Sequence, residues 1–343
     1  MIARRRGWPV TLAALAATVG VAAGSLALGG FEPRLALGAL WEGSVGSPSV
    51  FLSITLVRAV PLILTGLAVA LAFRAGIWNI GAEGQLYAGA VAGVATGLVL
   101  PDGTSAWVAL PLVMAAGAVA GAAWAGVPAL LKLRSGVGEV ITTLLMNFVA
   151  IHLAAWLVHG PMQEARGVFP QSDAVSAAAR LPALVPGSRL HLGFALAVLV
   201  AVGLWAFLRW TAAGFVVRAV GASPEAARVA GRIRSRRTMV WVFLASGALA
   251  GLAGTVEVSG VTFRLYEGLS PGYGYTAIAV ALLAGLSPLG VLVSGTLFGA
   301  LEGGAGAMQR VAGVPAGWVG TVVALAILSI VAADRLLRER RGG

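Results

Sequence analysis

Cysteine is absent from this 343-residue chain. That excludes disulfides, thiol nucleophiles, cysteine-ligated metals and a lipoprotein cysteine. Charge is scarce as well: Asp, Glu, Lys and Arg make up 11% of residues, against roughly 25% in soluble domains. Lysine is nearly missing. Of 24 basic side chains only Lys132 is a lysine, and leucines flank it, so no Gly-Lys-Ser/Thr phosphate loop exists. Nothing here hydrolyses ATP through such a loop. The three histidines, His152, His159 and His191, have no metal-ligand spacing. There is no His-Glu-x-x-His motif, no Ser/His/Asp set and no pair of carboxylates at mid-span, which removes an intramembrane enzyme. Gly-Tyr-Gly-Tyr-Thr-Ala at 272–277 matches a dinucleotide pattern by letter, but it has no βαβ context.

What fills the chain is apolar: 59% hydrophobic residues and a mean hydropathy of +0.91. Apolar runs at 7–31, 51–73, 85–100, 107–131, 140–158, 191–208, 239–256, 273–285, 289–306 and 318–333 predict ten spans of an all-α polytopic transmembrane bundle. Arg4, Arg5 and Arg6 precede the first run, which is too long for a typical signal h-region and reads as a retained signal anchor. The run at 273–285 is the short one; as a helix it covers only about 20 Å. It and the next run either both cross or form a re-entrant hairpin.

The net charge of +11 gathers in loops beside apolar runs, so membrane lipid explains it and nucleic acid does not. With the N-terminus inside, seventeen basic residues fall on the cytoplasmic side and six on the outer side, which places both termini in the cytoplasm. The densest cluster is 209–237, with seven arginines and a single acid, Glu225. Within it Ser223, Pro224 and Glu225 form a helix start: a hydroxyl N-cap, proline at the first position and an acid in the first turn.

Polar residues inside the runs are costly to insert and line a path or a helix contact. Asn147 lies eight residues past Glu139, about 12 Å into its run, and shares a face with Thr142 and Thr143. It is either a substrate contact or an interhelical hydrogen bond. At 74–85 three glycines, Trp78, Asn79, Glu83 and Gln85 interrupt an apolar region. Asn79 is placed to cap the helix that follows, with Glu83 in its first turn. Such a stretch is either a broken helix presenting polar groups to a ligand, with Trp78 stacking on a flat face, or a cytoplasmic elbow with Arg74 paired to Glu83. Arg58 snorkels outward, with Glu257 or Glu302 as its acid. Gly89, Gly93 and Gly97, and Gly295, Gly299 and Gly303, recur at four-residue spacing and form ridges for close helix packing.

Three stretches together resemble one family: 73–85 (Phe-Arg-Ala-Gly-Ile-Trp-Asn-Ile-Gly-Ala-Glu-Gly-Gln), 137–147 (Val-Gly-Glu-Val-Ile-Thr-Thr-Leu-Leu-Met-Asn) and 219–231 (Ala-Val-Gly-Ala-Ser-Pro-Glu-Ala-Ala-Arg-Val-Ala-Gly). They look like the permease subunit of ABC importers in the simple-sugar and branched-chain amino acid group, most like its nucleoside-uptake branch. The resemblance runs from about residue 50 to 330. It implies a single permease domain over 1–343 with a type II-like importer fold, a coupling loop at 209–238 and a main outer loop at 159–190. It implies a coupling helix at the ATP-binding subunit, carried by Gly221, Ser223, Pro224, Glu225, Ala226, Ala227, Arg228 and Gly231, with Arg232 just beyond.

It further implies a substrate path for which Trp78, Asn79, Glu83, Gln85, Thr143 and Asn147 are the candidates. Arg166, Arg180, Arg189, Arg264 and Arg310 are candidates for docking an acidic binding protein. The implied partners are ATP-binding subunits that use ATP and Mg, a second permease, paralogous or identical, and an extracytoplasmic substrate-binding lipoprotein. The chain itself binds no cofactor or metal and sits in the inner or plasma membrane of a prokaryote. The cargo is a nucleoside; a simple sugar is the alternative within the family. A stand-alone ion-coupled transporter is the alternative outside it, although Glu83, Glu139, Glu257 and Glu302 all map near span ends rather than at the midplane such coupling favours.

Overall fold

The computed structural model describes residues 19–101, 103–231, 233–315, 317–322, 324–325 and 328. The arginines at 4–6, at 232 and at 335–341, with parts of the first and last predicted spans, lie outside the described residues. Among those described, regular structure is helical, and the extended pairing is two isolated bridges, Gln171 with Tyr266 and Ala183 with His191. Six helices are long and apolar enough to cross a membrane: Pro48–Arg74, Ala106–Ser135, Glu139–Val158, Gly193–Trp210, Ser235–Thr262 and Pro288–Ala312. Ala82–Val99 has the length but carries more polar residues, and Val19–Leu28, Ala212–Ala222 and Tyr273–Leu283 are shorter. The chain divides into two compact units, Met1–Arg58 with Gly299–Gly343, and Ala59–Phe298.

In the first unit, Leu26, Ala36, Met308 and Val314 build an apolar cluster against which Trp318 packs. Gly43 lies against the Ala307 methyl, and Gly304 against the Leu40 carbonyl, so Pro33–Val45 packs closely on the end of Pro288–Ala312. Arg58 reaches Glu302 at 3.7 Å, which selects between the two acids considered for it.

The second unit is built on a seam of glycine. A methyl group on Gly89 would overlap the Gly251 carbonyl, one on Gly121 the Gly247 carbonyl, and one on Gly254 the Leu86 carbonyl. Three helices, Ala82–Val99, Ala106–Ser135 and Ser235–Glu257, therefore touch backbone to backbone. In a membrane this is where association energy comes from, since lipid tails are as apolar as leucine and burial alone gives no drive. Thr255 locks the junction, its hydroxyl donating to the carbonyls of Gly89 and Gly251, both at 3.1 Å.

Of the first expected ridge, Gly89 and Gly93 lie in this seam, whereas Gly97 packs against Val175 and Ala179 of the outer loop. The second ridge divides: Gly295 meets Ile63, and Gly303 meets Ile54. Gly117, Gly121, Gly247 and Gly251 carry the same four-residue spacing and complete the seam.

Tyr273–Leu283 has 11 residues, about 16 Å of helix, too short for roughly 30 Å of hydrocarbon. Its first turn sits at Glu83, and Leu286, just past its end, accepts a hydrogen bond from Arg74 Nε at 3.0 Å. The half-length helix therefore runs between the Glu83 and Arg74 ends of these contacts. Residues 263–272 precede it without helix, pinned where the Ser270 N–H donates to the Tyr87 hydroxyl at 3.2 Å. Phe263 and Leu286, the two non-glycine residues with left-handed backbone among those described, bracket this piece. The stretch is thus a loop and a half-length helix followed by the long helix Pro288–Ala312, an arrangement that fits both a double crossing and a re-entrant hairpin.

Candidate functional site

On the Glu139–Val158 helix, Glu139, Thr143 and Asn147 recur every four residues and so stack on one face. The non-helical segment between Arg74 and Ala82 runs alongside that face. The Ile80 N–H donates to the Thr143 hydroxyl at 3.2 Å. Asn147 is bidentate to the backbone: its Oδ1 accepts from the Gly84 N–H at 2.8 Å, and its Nδ2 donates to the Ile80 carbonyl at 2.9 Å. Below them, Glu139 pairs with Lys132 across the turn after Ala106–Ser135, where Gly136 takes the left-handed conformation that ends the helix.

Asn79 reaches forward rather than capping in its own place. The N-cap position is Gly81, whose N–H donates to Asn79 Oδ1 at 3.0 Å. The same oxygen accepts from Gln85 Nε2 at 3.0 Å, while Asn79 Nδ2 donates to Gln85 Oε1 and, at 2.9 Å, to Ser246 Oγ. Ser246 in turn donates to the Ala68 carbonyl at 2.8 Å. Glu83 stands in the first turn, as expected, and accepts from the Gly274 N–H at 2.6 Å. Arg74 and Glu83 thus bond to different partners, and the elbow built on their pairing does not form.

Asn79, Glu83, Gln85, Thr143 and Asn147 are each at most 1% exposed. Buried polar groups need partners, and those of Asn79 and Asn147 are spent on backbone, a neighbouring amide and hydroxyls, which makes the network rigid. Trp78 differs: it is 56% exposed, its ring tilted against Phe73 at 4.9 Å between centroids. Of the six path candidates it is the side chain free of burial, seated on a fixed polar frame.

Pro224–Gly231 forms the expected short helix. The Ser223 hydroxyl caps it, accepting from the Ala226 N–H at 3.2 Å, and Ser235 Oγ donates to the Pro224 carbonyl at 3.0 Å. Ala227 is buried, while Pro224, Glu225, Ala226, Arg228 and Val229 are exposed. Glu225 and Arg228 lie 3.8 Å apart one turn along, with 85% and 70% of their side chains open. Gly221 is packed so closely on the Arg74 carbonyl that a methyl group would overlap it.

The five outer arginines fare differently from one another. Arg264 donates to Glu164 and to the Ser172 carbonyl, both at 3.1 Å. Arg180 donates to the Val175 carbonyl at 3.1 Å and lies over the Phe263 ring at 5.0 Å. Arg166 and Arg189 are exposed. Arg310, in the first unit, lines a cleft of about 830 Å³ with Glu32, Arg34 and Glu42.

Two residues the sequence did not single out organise the outer loop. Glu164 accepts from Gln171 Nε2 at 2.8 Å and from the Phe169 N–H at 3.2 Å. Those bonds, with Arg264 nearby, hold its carboxyl below the usual carboxylate range. His191 accepts from the Gly193 N–H at 3.2 Å. Burial, with Arg189 adding repulsion, pushes its imidazole down to about 4. An acid amid outer arginines was the readable sign for Glu164; for His191, whose burial comes from Gly260 far along the chain, there was none.

A family model described as the branched-chain amino acid transport system permease component matches residues 51–332. A glucose ABC transporter permease of Haloferax volcanii is 45% identical over 84% of this chain and 77% of its own length. A guanosine ABC transporter permease of Bacillus subtilis is 38% identical over 92% of this chain and 91% of its own. A nucleoside ABC transporter permease of Lactococcus lactis is 34% identical over 79% and 76%. No solved structure matches.

Proposed function

The chain belongs to the branched-chain amino acid transport permease family, and from that premise we propose that this membrane-spanning ABC importer subunit forms the path for a nucleoside. The observation carrying the cargo assignment is the likeness, over nine-tenths of both chains, to a permease named for guanosine. Trp78 supports it, since an exposed indole on a rigid frame suits a flat base. A sugar is the second reading, favoured by the 45% likeness to a glucose permease.

In this proposal ATP and Mg are used by separate ATP-binding subunits that dock on Pro224–Gly231. A second permease, identical or paralogous, completes the pore. An extracytoplasmic lipoprotein delivers cargo to the outer face, and both termini lie in the cytoplasm of a prokaryotic cell. The buried frame of Asn79, Glu83, Gln85, Thr143 and Asn147 holds the path's shape rather than offering its own donors, and Trp78 meets the cargo.

The test is uptake by proteoliposomes containing the whole complex and its binding protein. ATP-dependent accumulation of labelled guanosine, undisturbed by excess glucose, is expected. Glucose accumulation without guanosine uptake would transfer the assignment to sugars, and uptake by this chain alone under an ion gradient would overturn the ABC mechanism for it.

A further inference from the structure

Between the capped helix and the buried amide frame lies a continuous set of contacts. The Ala212–Ala222 helix begins under a Thr211 cap, whose hydroxyl accepts from the Gly214 N–H at 2.9 Å. Its Val217 is fully buried in one apolar cluster with Ala72, Ala75 and Ile77, the residues on either side of the helix break. At its far end, immediately before the capped helix, Gly221 rests on the Arg74 carbonyl, with Gly76 beside it in the left-handed conformation. Arg74 holds the Leu286 carbonyl at the end of the half-length helix. From Ile77 the chain passes within three residues through Asn79, bonded to Gln85 and Ser246, to Ile80, whose backbone is bonded to Thr143 and Asn147.

We infer that Ala212–Ala222 is a lever, and that its seat on residues 74–77 delivers movement of the docking helix to the frame around the path. Packed contacts transmit force when there is no slack at the joint, and Gly221 removes the slack by bringing backbone onto backbone. Displacing the lever's end moves the Arg74 carbonyl. Through Arg74 it shifts the half-length helix, and through Ile77 the segment that Asn79 and Asn147 hold. Gly221, Val217 and Arg74 are positioning residues in this scheme. None of them needs to touch cargo or nucleotide. The inference rests on docking of the ATP-binding subunit at Pro224–Gly231, and it adds where the stroke goes afterwards.

The test uses the assembled complex with its binding protein and compares Gly221→Ala with Gly221→Val. Side chains here should push the lever off its seat while leaving the exposed docking face intact. Nucleotide hydrolysis and co-purification should persist, whereas cargo moved per ATP should fall at least about tenfold, further for valine than for alanine. An unchanged ratio in both variants overturns the lever.

If either variant fails to assemble, spin labels decide on the otherwise native chain. The absence of cysteine makes Trp78→Cys, Ala222→Cys and, on the exposed face of Gly193–Trp210, Leu199→Cys unique attachment points once the permease is labelled before assembly. The 78–222 distance should stay constant between the nucleotide-free and ATP-bound complexes while the 199–222 distance shifts. A shift in 78–222 would sink the proposal. Loss of docking itself would show separately, as ATP-binding subunit failing to co-purify with the unsubstituted chain.

Discussion

The outer and inner loops are both rich in arginine, and they use it in opposite ways. Outside, Arg264 and Arg180 are turned onto the chain itself, one closing on Glu164 and the Ser172 carbonyl, the other on Val175 and Phe263. In the loop expected to lie inside, Glu225 and Arg228 are largely exposed on a helix capped by Ser223. Charge spent internally stiffens a surface; charge left outward is available to a partner. The count of arginines on each side predicts an orientation, but only the contacts separate these two uses.

The largest effect that would break the contrast comes from the inner loop. Exchanging Glu225→Arg with Arg228→Glu keeps the one-turn pair, worth only about 0.2–0.5 kcal/mol, so the helix should survive. Co-purification of the ATP-binding subunit should nevertheless drop more than about tenfold, because opposed charges would face its groove. Normal assembly in a pull-down would end the claim that this face recruits.

A mid-sized effect belongs to the outer loop. His191 is held neutral, with its pKa near 4 in the fold against an ordinary 6.5. The unfolded loop therefore takes up a proton that the folded loop refuses. Stability is full above pH 6.5 and is lost progressively toward pH 4, by up to about 3 kcal/mol. Glu164, whose carboxyl is depressed, adds a loss at lower pH still, beginning below about 4.5. Amide exchange in 159–192 should accelerate across the first window, and His191→Phe should flatten that response. An exchange rate indifferent to pH, after correction for intrinsic chemistry, would contradict the burial.

The smallest effect sharpens the contrast. Arg166 is exposed, unlike Arg264, so Arg166→Glu should weaken binding-protein affinity only about two- to fivefold, and the change should fade at high salt. Arg264→Ala should act through loop order and keep its effect in salt. Equal salt dependence for the two, measured by titrating the binding protein, would erase the distinction.

Much of this was legible beforehand, where the cause is local. The Ser223-Pro224-Glu225 start is a contiguous signal, and the helix begins there. The glycine ridge at 89 and 93 was legible by spacing, and 117/121 and 247/251 carried the same sign unread. Asn147 lies eight residues into a helix that starts at Glu139, as read, yet its partner could have been cargo or backbone, because an amide's sequence position says nothing of what lies opposite. The half-length helix was suspected from its 13-residue run. Its non-helical counterpart at 263–272 stayed hidden, since its partners, Glu164, Ser172 and Tyr87, are about ninety to one hundred and eighty positions away.

The glycine seam has a consequence for how the molecule can move. Side chains at an interface own rotamers, and sliding one helix past another re-sorts them at modest cost. A joint of backbone on backbone has no rotamers to re-sort and no side-chain entropy to exchange. Ala82–Val99, Ala106–Ser135 and Ser235–Glu257 must then travel as one solid wedge. Any opening and closing has to be found at the borders of that wedge, where methyls and rings still face each other.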